Sequence, residues 1–196
     1  MALADEPGTA SFRFTGFQRR SGDRLTDDAA LHIEAGLVKN LGIHIRTDAI
    51  RKEEYSEVML MYNVLTTGHE KYGVSVFGQV SLPTGYAESN EAWGLFGLGI
   101  KATPVPFVVF NGDIHYDPSH RMSEYEGSFV AATKSMLYPI MEFRGEITTG
   151  GTSLYLLPGL KFRIAENQTI GAAYQFGTSG PTEYNVEGLI QYGIEF

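Results

Sequence analysis

Apolar and polar residues alternate along most of this chain. In the last segment Tyr184, Val186, Gly188, Ile190, Tyr192, Ile194 and Phe196 share one parity, while Asn185, Glu187, Gln191 and Glu195 hold the other. Side chains of a strand point alternately to its two faces, so this segment has one apolar and one wet face. The same pattern recurs in about twelve segments: residues 9–19, 29–38, 41–50, 55–66, 72–82, 93–103, 107–117, 124–136, 140–148, 153–164, 169–177 and 184–196. The final residue is itself an aromatic on the apolar face. Bacterial outer-membrane barrels end this way, and soluble domains rarely do.

The charged parity decides which face meets lipid. The ninth segment sets Met141, Phe143 and Ile147 against Glu142, Arg144 and Glu146; the tenth sets Leu156, Leu160 and Phe162 against Lys161 and Arg163. A Lys or Arg on the lipid face near the midplane costs roughly 2–4 kcal/mol. Turning both strands over would therefore approach the whole stability of a domain, about 5–15 kcal/mol. Backbone groups in hydrocarbon must also be satisfied, which only a closed sheet does. The expectation is an all-β fold: a closed antiparallel up-and-down transmembrane β-barrel of about 12 strands, apolar outside. Residues 1–8 form a leading piece and residues 9–196 the barrel. A soluble barrel or sandwich is the rival. With the apolar row inward, however, about twelve strands would enclose a lumen too wide for side chains to fill.

The inward row is then predicted strand by strand. It carries Arg13 in the first, His32 and Glu34 in the second, and His44, Arg46 and Asp48 in the third. Glu57, Met59, Met61 and Leu65 follow in the fourth, Phe77 in the fifth, Leu95 and Lys101 in the sixth, and Asp113 and His115 in the seventh. Glu142, Arg144 and Glu146 come from the ninth, Tyr155, Leu157, Lys161 and Arg163 from the tenth, and Glu187 and Leu189 from the twelfth. Mixed signs predict weak ion selectivity. The apolar members predict a narrow lumen passing an amphipathic solute; the alternative is a closed interior packed by ion pairs.

Connections support an orientation. The polar stretches 20–28, 83–92 and 118–123 are long, whereas 39–40, 103–106 and 166–167 are short, with 51–54 and 150–151 as short exceptions. Short periplasmic turns and longer outer loops are the barrel arrangement, and an even strand count places both termini in the periplasm. Aromatics near strand ends fit interfacial girdles: Tyr72, Phe107, Phe162 and Phe196 on the periplasmic side, Trp93, Tyr116, Tyr125 and Tyr184 on the outer side.

Composition narrows the classes further. The 196-residue chain has no cysteine, which removes disulfides and thiolate metal sites. Its formal charge of −8 argues against nucleic acid as a partner. No apolar run reaches the roughly 18 residues of a membrane helix. Ala2-Leu3-Ala4 has the small-x-small form of a signal-peptidase site, so Asp5 is the expected first residue of a mature, exported chain.

Candidate chemistry is sparse. A Ser-His lipid hydrolase would need a dyad near the outer rim, and only His120, with Ser119 and Ser123 beside it, sits at that level; His69 falls in a periplasmic turn. No G-x-S-x-G elbow is present. His32 with Glu34, and His44 with Arg46 and Asp48, could meet across neighbouring strands as a metal site, but charged inward rows are commonly paired networks. The glycines of GLFGLGIK precede no helix and form no phosphate loop. No cofactor, catalytic residue or metal site is therefore expected.

Two stretches carry a family resemblance: SVFGQVSLPTG at 75–85, followed by the strand WGLFGLGIK, and LYLLPGLKFRI at 154–164 with its short turn at 166–167. From Tyr72 onward the chain resembles the transporter-type outer-membrane barrels grouped as the MetA-pathway-of-phenol-degradation family. That resemblance implies passage of small, often aromatic or hydrophobic, molecules across a Gram-negative outer membrane. The GIEF ending resembles the carboxyl-terminal signal read by the barrel-assembly machinery. A third role is a structural barrel whose outer loops hold a protein partner.

Overall fold

The computed structural model describes residues 3–21, 24–48, 55–67, 71–84, 90–131, 135–179 and 186–196. Among them it contains only strands and turns. They are β1 (Ala10–Ser21), β2 (Arg24–Val38), β3 (Leu41–Asp48), β4 (Tyr55–Thr67), β5 (Tyr72–Pro83), β6 (Trp93–Val105), β7 (Val108–Asp117), β8 (Met122–Ala131), β9 (Leu137–Thr148), β10 (Gly151–Thr152), β11 (Leu154–Ala165), β12 (Gln168–Ser179) and β13 (Val186–Glu195). Every strand pairing is antiparallel; chain neighbours pair in turn, β9 pairs with β11 across the two-residue β10, and β1 with β13 closes the ring. The seam joins the first and last long strands, from Ser11 opposite Glu195 to Arg20 opposite Val186. The two-residue β10 keeps the register of β11 against β9, with Thr152 opposite Ile147 and Tyr155 opposite Arg144. It prolongs β11 beyond an interruption at Ser153. The result is a closed barrel of twelve long strands.

The burial of β5 displays the sidedness. Gly73, Ser75, Phe77, Gln79 and Ser81 are buried, whereas Val76, Val80 and Leu82 are exposed. Ser75 and Ser81 are fully enclosed while Leu98 and Ile114, beside Val76 in the ladder, are about half exposed. A water-soluble fold hides its apolar face; here a continuous exposed apolar surface runs around the barrel, far beyond the few hundred Å² usual for a soluble monomer. Only a hydrocarbon surrounding makes that surface favourable.

Pairing, rather than side-chain pattern, sets the strand limits. β2 begins at Arg24 instead of residue 29 because its polar start pairs with β1, Leu25 opposite Arg20. The expected long first loop shrinks accordingly. The eighth strand stops at Ala131 and the ninth starts at Leu137; residues 132–134, with Lys134, lie outside the described residues, as do His69 and Tyr184. Between β2 and β3 a two-residue turn places Asn40 at φ 68°, a left-handed conformation that Asn tolerates.

One inward assignment is corrected. A bulge between Asn63 and Leu65 takes up Val64 and shifts the phase of β4. Leu65 consequently pairs with Val74 and is exposed on the outer face, not in the lumen.

The chain ahead of β1 turns into the bore at the rim that holds both strand termini, hereafter the terminal rim. Leu3 and Ala4 are buried there, and Pro7 bridges to Gly36 of β2 in parallel.

Candidate functional site in the barrel lumen

Alternation projects the charged rows into the bore, and neighbouring strands bring them into register. Across β1, β2 and β3 lie Arg13 opposite His32 and Glu34 opposite His44. Arg13 Nη2 reaches Glu34 Oε1 at 3.1 Å, Ser11 Oγ donates to Glu34 Oε2 at 3.4 Å, and His44 Nε2 lies 3.8 Å from Glu34 Oε1. The His32 and His44 rings stack 5.3 Å apart, with Nδ1 of the first 3.1 Å from Nε2 of the second. Arg46 faces Glu57 at 3.8 Å. Around the ring His115 lies between Asp113 at 3.7 Å and Glu124 at 3.3 Å. Glu142 and Arg144 stand on β9, with Arg144 over the Tyr155 ring at 5.9 Å and Arg163 over Tyr138 at 5.0 Å. Glu146 holds the same inward row, where its backbone accepts from Ser153 N. Lys101 lies on β6 opposite Asn111. The side chains of Asp48 and Glu187 lie outside the described residues.

Beside the seam this ionic lining opens into a cavity of about 190 Å³ at the terminal rim. Its wall includes Arg13, Lys161 and Arg163 with Glu34, Glu166 and Glu195. Three cations facing three carboxylates give little net preference for either ion. Removing one carboxylate should tip that balance: Glu34→Gln is expected to move the reversal potential in a salt gradient toward anion preference. An unchanged potential would mean that Glu34 does not set the charge balance of the bore.

The sector roughly opposite, from β4 to β6, sets an apolar cluster among the buried polar residues Asn63, Ser75, Gln79 and Ser81. Met61, Phe77 and Leu95 are buried in one cluster with Ala4, and Met59 and Trp93 pack against it. Gly97 makes room for the Phe77 ring, whose tip a Cβ there would overlap. Trp93 therefore lies inside, not in the outer girdle expected for it. It shares the inward parity of Leu95 and sits opposite the fully buried Ser81. Tyr55 shares the inward parity of Met59 and meets Trp93 edge-on at 6.1 Å. The girdle assignments that match exposure are Tyr72, Phe107, Phe162 and Phe196 at the terminal rim and Tyr116 at the far rim.

At the far rim His120 Nδ1 lies 2.5 Å from the buried Asp117 carboxylate, and the backbone amides of Ser119 and His120 donate to the other oxygen. The ring stands edge-on to Trp93 at 5.2 Å. No hydrogen bond joins His120 to either loop serine among the described residues. The arrangement is a turn cap that presents a ring to the bore, rather than a Ser-His dyad. Likewise no three metal-ligating side chains converge among the described residues.

The composite lumen thus has an aromatic far mouth formed by Tyr55, Trp93 and His120, an apolar lane below it, and an ionic wall across the bore. Phe77, Met59, Met61 and Leu95, which share the inward parity, meet in this cluster; Tyr55 shares that parity too and was not singled out in the sequence.

Neither a family model nor a curated protein sequence matches this chain. Solved structures are similar in fold. A NanC porin superposes with a TM-score of 0.73 at 10% identity over 94% of this chain and 98% of the porin. A KdgM porin, solved with disordered oligogalacturonate, gives 0.68 at 7% identity over 95% and 98%. Salmonella typhi OmpF, solved with daunomycin, gives 0.53 at 10% identity over 96% and 97%. The chain has the fold of bacterial outer-membrane barrels at full length. The resemblance to the phenol-degradation transporter family rests on its motifs alone.

Proposed function

We propose that the protein is a channel of a bacterial outer membrane that admits small amphipathic solutes, aromatic ones included. The observation carrying this reading is the inverted sidedness: an apolar exterior encloses a bore with a greasy lane on one sector and paired charges on the other. A solute with a ring and a polar group would find a partner on each side. The fold shared with porins and the motif resemblance to transporter barrels of aromatic catabolism support the same role. The exposed Phe196 ring, edge-on to Phe12 at 5.7 Å, remains accessible on the lipid side for the assembly machinery.

Flux into liposomes tests the proposal. Purified protein should give stepwise current in planar bilayers, and phenol or benzoate should enter faster than a neutral sugar of similar size. Trp93→Leu should lower that ratio roughly two- to tenfold, the worth of one aromatic contact of about 0.5–1.5 kcal/mol. A silent bilayer with fully inserted protein would overturn the channel and favour a closed barrel acting on a protein partner through its outer loops.

A further inference from the structure

We propose that the lumen contains, at the terminal end of the apolar lane, a seat for a short extended apolar peptide or N-acyl amide, which Leu3–Ala4 fill in this chain and which processing ahead of Asp5 would open. The seat reads main chain. The buried Asn63 carboxamide accepts from Ala4 N at 2.8 Å and donates to Ala4 O at 3.1 Å. One side chain thereby pairs both peptide groups of a single residue, as a strand partner would, and a solute lacking adjacent donor and acceptor would leave that buried amide unsatisfied.

The floor is made of glycine where the segment lies. A Cβ on Gly42 would stand 3.0 Å from the Ala4 methyl, and one on Gly73 would stand 2.6 Å from Leu3 Cδ1. The seat therefore takes a small side chain beside Asn63 and a leucine-sized one over Gly73. Its apolar side is Met61, Phe77 and Leu95, which pack with Ala4. Beyond the seat a strap fixes the segment: Gly8 N donates to Gly36 O at 3.1 Å and Gly36 N to Thr9 O at 3.0 Å. A Cβ on Gly36 would overlap the Glu6 carbonyl.

The effect on current rests on the channel reading, whereas occupancy of the seat is measurable without it. Trp93 is the only tryptophan of the chain and packs against the far side of the cluster that includes Ala4, so its emission reports a rearrangement of that cluster when the seat empties or fills. The experiment compares the full chain with one starting at Asp5, both refolded in the same vesicles, and titrates acetyl-Leu-Ala-amide. The shortened chain should show shifted Trp93 emission and larger current. The peptide should return both toward the full-chain values saturably, and Asn63→Leu in the shortened chain should weaken its binding by at least about tenfold. Identical emission from both chains with no response to the peptide would overturn the seat. Saturable binding with no current from either chain would uphold the seat and overturn the channel. Should the shortened chain not assemble, Asn63→Leu in the full chain serves instead: shifted emission and raised current are expected, and no change in either would overturn the proposal.

Discussion

Leu98→Arg is expected to cost roughly 2–4 kcal/mol of folding stability in vesicles, a thirty- to several-hundredfold loss in the folded ratio. Leu98 lies near the middle of β6, about half exposed, flanked in the ladder by Val76 and Ile114, which are exposed as well. A guanidinium there has no polar neighbour to reach across the apolar band. Leu37, next to the end of β2 at the terminal rim, is as exposed, but Arg at that depth can reach the interface and should cost about 0–1 kcal/mol. Urea titration of both variants in lipid vesicles checks the difference. Equal costs at the two positions would mean that the exposed apolar surface does not face hydrocarbon.

Gly145→Ala is expected to cost about 3 kcal/mol, the upper end for overpacking. A Cβ at Gly145 would overlap the Ser153 carbonyl oxygen and stand 2.6 Å from the Tyr125 ring. Tyr125 is itself fixed, its hydroxyl donating to that same carbonyl at 2.9 Å. Neither obstacle can yield, because Ser153 N is bonded to Glu146 O across the interruption between β10 and β11. Gly127→Ala provides the contrast. There a Cβ would overlap the tip of the Phe143 ring at Cζ, and a ring bordering lipid can swing aside for about 1 kcal/mol. Both glycines lie under an aromatic of the adjacent strand, a covering that compensates for their missing side chains. Thermal or urea unfolding of the two variants should differ clearly; a larger loss at Gly127 would contradict this account.

What was legible in the sequence is what depends on period two. The charged parity of β9 and β11 located the lumen because the opposite choice is energetically excluded, and one face assigned correctly in a closed antiparallel sheet constrains its neighbours. Leu65 escaped this logic because a bulge changes phase without any local signature in Asn63-Val64-Leu65. Trp93 was placed by its position near a strand end, although its parity, shared with Leu95 and Lys101, pointed inward; the rim preference of aromatics is the weaker rule when the two disagree. The pairing of His120 with Asp117 spans a turn and has no periodicity to reveal it. The placement of Leu3 and Ala4 was the least legible, since Ala2-Leu3-Ala4 reads equally as a processing signal and the glycines that receive the segment lie on three separate strands. The far mouth was half legible: parity points to the inward rows but not to the assembly of Tyr55, Trp93 and His120 from three distant stretches.

The seam between β1 and β13 has a consequence for biogenesis. Ser11 pairs with Glu195 and Ala10 N donates to Phe196 O, so the edge of β1 that faces away from β2 stays open until β13 has been made. No nascent fragment can become a finished cylinder. During that wait the strands offer unpaired edges and sticky faces to one another, so closure of the ring is also what removes the chain's exposure to misassembly.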